Sequence, residues 1–324
     1  MKKFIIKKIS SKSALNIWKS CSNSSIFTNP IFLEFINEKI EYWGGFKGEK
    51  LICYWPICLD KRNEIIEPPF CYYIGPVWHH SYSLLPAYRW FSTSQIMYNQ
   101  FIQSLIKNYS NIIFSIKDID PDLRSFNWWN YNLDNKPKFK IDVKYTAIIN
   151  NLGTKSDEEI INGFRNDDRR KQIKRLLKQE LNLDYSGPEG NKSIIDLYLE
   201  TISRTNGKAT NKDILVLEKI IKYIETGKGE IICIKNKDSN KLIATQIMLD
   251  CNKTTNAIAQ GTTSNSGIKN LAVLMNYKSI ISARNRGSNF FDFNGANSPN
   301  RADDKHSYGA DLKSYFKINY PYFD

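Results

Sequence analysis

The polar chemistry of this chain is concentrated in Phe290–Phe316, FFDFNGANSPNRADDKHSYGADLKSYF. A β-prone run ends at Asp292-Phe293 and opens into Asn294–Pro299, a loop rich in turn formers. Arg301, Lys305 and Lys313 then bracket Tyr308-Gly309. A strand that ends in a polar, glycine-bearing loop followed by cations is an expected rim for an anionic ligand. Asp292 and Asn297 carry a second reading, in which their side chains bond nearby backbone and shape the turn.

Two further clusters could meet phosphate. Arg165, Arg169 and Arg170 open a basic helical stretch running to Leu181, with Ile173, Leu176, Leu177 and Leu181 on one apolar face. Those cations either contact a diphosphate or tRNA backbone, or form a solvated face. Gly261–Gly267 (GTTSNSG) lies between a strand candidate and a helix. Backbone N–H groups and a helix N-terminus there can receive a phosphate, or the segment is an ordinary polar loop with a cap.

Other chemistries find little support. Among three histidines, His79 and His80 are adjacent, so in a strand they point to opposite faces, and His306 stands alone. HExxH, GxSxG, GxGxxG and Walker A patterns are absent, so neither a metal centre nor a triad is expected. The six cysteines form no CxxC and read as buried free thiols of a reducing compartment.

The elements that would position these residues occur twice. Glu41–Leu59 and Glu230–Leu249 each read as strand, polar turn, strand. Each is followed by a strand candidate (Phe70–Trp78; Asn256–Thr263), a helix (Thr93–Tyr109; Gly267–Arg286) and a β-prone run (Asn111–Ile116; Asn289–Phe293). This order predicts a duplicated α/β unit. Pro30 behind Thr28-Asn29 predicts a capped helix, and Ser156 with Glu159 predicts a capping box. Trp128 and Trp129 either stack on a sugar or base or pack in the core. The tail Gly309–Asp324 is expected to add a last strand.

The chain has 324 residues and formal net charge +13, with pI about 9.3. That balance fits an anionic partner such as a nucleotide, coenzyme A, tRNA or a membrane face, or it reflects a composition rich in Lys, Asn and Ile. The start MKKFIIKKIS is too short in apolar residues for a signal peptide, and no run approaches the ~20 a membrane helix needs. The expected location is the cytoplasm, with contact at the inner membrane face as an option.

The phrase DFNGANSPNRADDKHSYGADLKSYF resembles the closing signature of the FemABX-like branch of the GNAT acyltransferases: Asp292, Phe293, Gly295, Lys305, Tyr308, Gly309 and Ala310. Phe164–Tyr185 is similar to that family's basic helix and following strand, Arg204–Gly207 to its Arg-x-x-Gly-like step, and Ser25–Ile36 to its N-terminal segment. Asp304 stands where the family has an aromatic residue, and the [RQ]-x-x-G-x-[GA] acyl-CoA loop is only approximated near Gln260 and Gly267.

The resemblance implies an α/β fold of two tandem GNAT-like domains, each a mixed, mostly antiparallel sheet flanked by helices. Residues 1–150 would form the N-terminal domain, and 151–324 the C-terminal domain carrying the acyl-donor site. It implies transfer of an acyl or aminoacyl group, from acyl-CoA or aminoacyl-tRNA, to an amine on a cell-envelope or surface-glycan precursor. The expected partners are an anionic small-molecule or lipid-linked substrate, with tRNA as a candidate donor, and no DNA. By the same resemblance Gln260, Gly261, Thr262 and Gly267 would flank the donor. Asp292 would orient the amine or relay its proton, and Tyr308 would bond the reacting carbonyl. Lys305, Arg301 and Asn297, with Arg165, Arg169 and Arg170, would hold substrate. Lys305→Ala is then expected to weaken phosphate binding and spare stability. The competing class is a non-catalytic basic module that docks RNA or an anionic membrane.

Overall fold

The structure, a computed structural model, describes residues 4–21, 24–117, 122–185 and 190–323, and their side chains except those of 83, 166, 167, 300 and 301. Two compact units divide the chain, Met1–Lys144 with Ser314–Asp324 and Tyr145–Lys313.

The first unit contains β1 (Phe4–Ile9), α1 (Ser11–Ser20), α2 (Pro30–Ile36), β2 (Lys39–Lys47), β3 (Lys50–Leu59), β4 (Val77–Trp78), α3 (His80–Ser83), α4 (Ala87–Asn108), β5 (Ile112–Lys117), α5 (Arg124–Asn127) and the start of β6 (Lys138–Ile149). Strands β1-β2-β3-β4 form an antiparallel sheet. The β2–β3 hairpin turns at Gly48, whose φ of 63° a glycine adopts without strain. Helix α2 starts as its sequence predicts, with Pro30 at the first position and Asn29 Oδ1 accepting from Ile31 N at 2.9 Å. The core is aromatic: buried Trp55 meets Phe101 and Phe114 edge-on. The strand expected over Phe70–Trp78 shrinks to β4. Pro68, Pro69 and Pro76 offer no N–H to a ladder.

The second unit holds the end of β6, then α6 (Asp157–Gly163), a π-turn at Asn166–Arg170, α7 (Lys171–Lys178), β7 (Leu183–Asp184), α8 (Asn191–Arg204) and α9 (Asn211–Ile224). It continues with β8 (Gly229–Asn236), β9 (Lys241–Cys251), β10 (Thr254–Thr262), α10 (Leu271–Asn285), β11 (Phe290–Asp292), α11 (Pro299–His306) and the start of β12 (Asp311–Tyr322). Its strand order is β6-β11-β10-β9-β8-β7. The β10–β11 pair is parallel, and the other neighbours in this order are antiparallel. Both units therefore repeat hairpin, strand, helix, strand, a mixed α/β arrangement. The Ser156–Glu159 capping box is closed in both directions, at 3.2 and 2.7 Å.

Two boundaries differ from the sequence reading. Residues from Ser314 onward group with the first unit, because Tyr315–Tyr320 of β12 pair antiparallel with Ile112–Lys117 of β5. The single basic helix expected over 165–181 is instead a π-turn followed by α7, and α7 stops at Lys178. The Arg165 carbonyl accepts from Arg170 N five residues on, and Arg165 N donates to the Ser307 carbonyl.

Candidate functional site

Strands β10 and β11 run side by side for three residue pairs, Thr254–Phe290, Thr255–Phe291 and Asn256–Asp292. There β11 ends, while β10 continues to Thr262. Two parallel strands that part after a short ladder leave a wedge between their carboxyl ends, the usual place for a ligand in an open α/β sheet. The register of β10 with β9 shifts between Ala257 and Ala259, so Ile258 is the bulged residue at the mouth of the wedge.

The turn leaving β11 forms the far wall, and the sequence signature builds it. Asp292 is fully buried, accepts from the Thr146 hydroxyl and from Asn294 N at 2.9 Å, and so closes a tight turn. Asn294 and Gly295 sit at positive φ, 52° and 46°. Asn297 Oδ1 accepts from Tyr145 N at 2.6 Å, fastening the loop to the end of β6. The Lys305 ammonium donates to the carbonyls of Phe293, Asn294 and Gly295. An ammonium has three donors, and the turn supplies three acceptors. Lys305 therefore ties the wall together, where the sequence reading had it hold a phosphate. Asp292 and Asn297 likewise serve the turn.

Tyr308 packs rather than facing a cavity. Its ring meets Phe164 edge-on at 5.4 Å and Phe293 at 5.7 Å, with the Arg169 guanidinium above it. Burial holds its phenol well above the usual tyrosine range, against a smaller opposing effect of the nearby Asn276 side chain. Asn276 Oδ1 accepts from Gln260 Nε2 at 2.8 Å, a polar link between β10 and α10. Gly309 follows at φ 76°, where a Cβ would come within 2.6 Å of the Gly163 carbonyl. The Tyr-Gly step is thus a packing requirement.

The expected donor residues separate on inspection. At Gly261, a Cβ would stand 2.8 Å from Tyr198 N, so this glycine lets α8 approach β10. Thr262 N donates to Thr201 Oγ1 at 2.7 Å, while the Thr262 carbonyl accepts from Thr201 Oγ1 and Arg204. Helix α8 occupies what was read as donor surface at 261–262, and Gln260 points to Asn276. Gly267, exposed at φ 70°, lies in the loop ahead of α10.

The arginine cluster is also committed. Arg165 binds Asp168 and Asp303, Arg169 binds Ser307, Gln172 and Asp304, and Arg170 binds the carbonyls of Asn162 and Phe164. The Arg165 and Arg169 pairs hold the π-turn to α11, and the Arg170 bonds tie it to the end of α6. Arg301 lies in α11, and its side chain falls outside the described residues. Trp128 is exposed and Trp129 packs against Phe139. The six cysteines form no disulfide, and four of them are buried.

Sequence reasoning passed over Asn294. It was taken only as part of the turn, yet its Nδ2 reaches across the wedge to the Ala257 carbonyl at 3.0 Å. The available signal was an Asn two residues after Asp and before Gly, a pattern that favours positive φ. No helix among the described residues is long and apolar enough to cross a membrane.

No family model and no curated protein matches the sequence. Solved structures do match. A structure of FemX is similar with TM-score 0.67 and 14% identity, over 98% of this chain and 97% of that one. A tandem GNAT protein from the clavulanic acid biosynthesis pathway has TM-score 0.55 and 7% identity, with 98% of each chain covered. A conserved protein of unknown function from Bacteroides thetaiotaomicron VPI-5482 has TM-score 0.52 and 13% identity, over 98% and 99%. At these identities the likeness is one of fold, a tandem GNAT architecture over nearly the whole chain.

Proposed function

We propose that this chain, with the tandem GNAT fold of FemX-like proteins, is an N-acyltransferase. It would move an acyl or aminoacyl group from a thioester or ester donor to an amine on a cell-envelope or surface-glycan precursor. The observation that carries this reading is the wedge in the second unit, where the β10–β11 ladder stops at Asn256–Asp292 beside a bulge at Ile258. An extended donor arm fits between parting strands, and a bulged backbone turns an N–H towards a carbonyl oxygen.

The chemistry asks for little else. Attack by a neutral amine on a thioester or ester needs the reactants held together and the oxyanion met by a fixed donor. Ile258 N–H is our candidate for that donor. Asp292, Asn297 and Lys305 would act through the wall they build rather than on substrate. The exposed loop through Gly267 and the start of α10 would receive the donor's phosphate groups, as helix N-termini favour anions. Acyl-CoA and aminoacyl-tRNA both fit this layout.

One observation favours a second reading, a binding module for RNA or an anionic membrane. On α7, Lys174, Arg175 and Lys178 are exposed along one side, with no carboxylate partner among the described residues. A row of uncompensated cations suits a polyanion and would show steep salt dependence.

A thermal-shift panel of acetyl-CoA, free CoA, UDP- and dTDP-amino sugars and uncharged tRNA tests the proposal. A ligand that binds only the folded chain raises the melting temperature by mass action. A shift with CoA compounds supports acyl-CoA-dependent transfer, and one with amino sugars identifies the acceptor class. A salt-sensitive response to tRNA alone, with no transfer from charged tRNA, would replace the enzyme by the binding module.

A further inference from the structure

Asn294 stands at the apex of the wedge with its amide oxygen unused. It is 1% exposed, and its Nδ2 donates to the Ala257 carbonyl. That bond settles which end of the amide is which, because a carbonyl accepts only from the nitrogen. Its Oδ1 is buried and has no hydrogen-bond partner among the described residues. Leaving such an oxygen unpaired is costly, and most buried polar atoms avoid that cost. Nor is the side chain loose. Asp292 holds its backbone N–H, Lys305 holds its carbonyl, and the Ala257 bond holds its amide.

We propose that Asn294 Oδ1 receives an N–H of the acceptor amine, an inference that rests on the N-acyltransferase reading above. The oxygen can bond only to a group that brings a hydrogen. The carbonyl and the leaving sulfur or oxygen of a thioester or ester bring none, whereas the attacking amine nitrogen brings at least one. The position agrees, since Asn294 holds the carbonyl of Ala257, the residue just before bulged Ile258. In the transfer, the amine nitrogen forms the new C–N bond as the donor's C–S or C–O bond breaks. The departing thiol or alcohol takes up the one proton the nitrogen loses, and a second N–H stays on Oδ1. That N–H is a stronger donor as the nitrogen becomes positive during attack, so the bond favours the transition state.

The test measures transfer from acetyl-CoA and from glycyl-tRNA to glucosamine and to L-lysine, by the full chain and two variants. Asn294→Gly suits the positive φ and removes the whole side chain. Asn294→Asp keeps an acceptor oxygen and loses the donor to Ala257. We expect Asn294→Gly to lower kcat/KM for the amine about 10–100-fold while the donor's KM stays within about twofold. Asn294→Asp should lower the melting temperature and keep the amine's KM within about threefold, separating the structural nitrogen from the substrate-facing oxygen. Formamide should restore part of the Asn294→Gly rate. If the wild-type chain turns over and Asn294→Gly leaves the amine's kcat/KM unchanged, or weakens donor and amine alike, the Asn294 assignment is overturned and the transferase stands. If the wild-type chain transfers from neither donor to either amine, the transferase reading falls and takes this assignment with it.

Discussion

Lys305 shows how a single residue can carry an expected charge and a different task. Its ammonium meets three backbone carbonyls of one turn, so removing it leaves three half-buried acceptors without their cation. Lys305→Met is therefore expected to cost on the order of 2–3 kcal/mol in urea unfolding, by loss of charged hydrogen bonds. Unchanged stability would return Lys305 to the ligand-binding role read from sequence. A second residue gives a pH signature. Burial pushes the Glu41 carboxyl up, but hydrogen bonds from Lys8, Tyr109 and Trp43 outweigh it and hold the group below its ordinary 4.5. A depressed carboxylate contributes stability above its unfolded value and loses it as pH falls through the lower folded value. Below about pH 4.5 the wild-type chain should thus lose stability more steeply than Glu41→Gln, as read by urea midpoints across pH. Parallel curves would show that these bonds do not set the acid limb.

At the scale of elements, close approaches decide more than propensities. Helix α8 rests its backbone on β10 at Gly261, leaving no room for a methyl group. Gly261→Ala should destabilise the second unit by about 1–3 kcal/mol, through overpacking against backbone that cannot yield. Little change in the denaturation midpoint would mean that α8 is free to shift. The α6 capping box is a milder case, and Ser156→Ala should cost about 1 kcal/mol. Caps of this kind are legible in sequence because they are local: Asn29-Pro30 and Ser156–Glu159 satisfy N–H groups within a few residues. The π-turn at Asn166–Arg170 was not legible, since the carboxylates of Asp303 and Asp304 that hold its arginines lie about 135 residues away. The same holds for the face of β10, whose covering helix α8 is remote in sequence.

At the scale of the molecule, the repeated order of hairpin, strand, helix and strand organises both units. The tail crosses back, however, and Tyr315–Tyr320 complete the first unit beside β5. Deleting residues 314–324 should expose the amides of Ile112–Lys117 and break the Lys317–Glu67 ion pair. Hydrogen exchange would report this as lost protection confined to the first unit, whereas unchanged exchange would show that β5 stands without its partner.

The amino-acid sequence alone determined the periodicities, caps and glycine turns, and through them the α/β class and the duplication. It did so because hydrophobic spacing and end-capping act over a few residues. It also marked Asp292–Ala310 as exceptional. Only the tertiary structure decided what that stretch does. Each of its polar groups had both a possible ligand and a possible backbone partner. The choice fell to whichever partner folding brought within hydrogen-bond reach: Thr146 for Asp292, Tyr145 for Asn297, and the turn's own carbonyls for Lys305. Asn294 Oδ1 was left with none among the described residues. A buried polar atom must be paired or bear a cost, and which atom is left over depends on the whole fold.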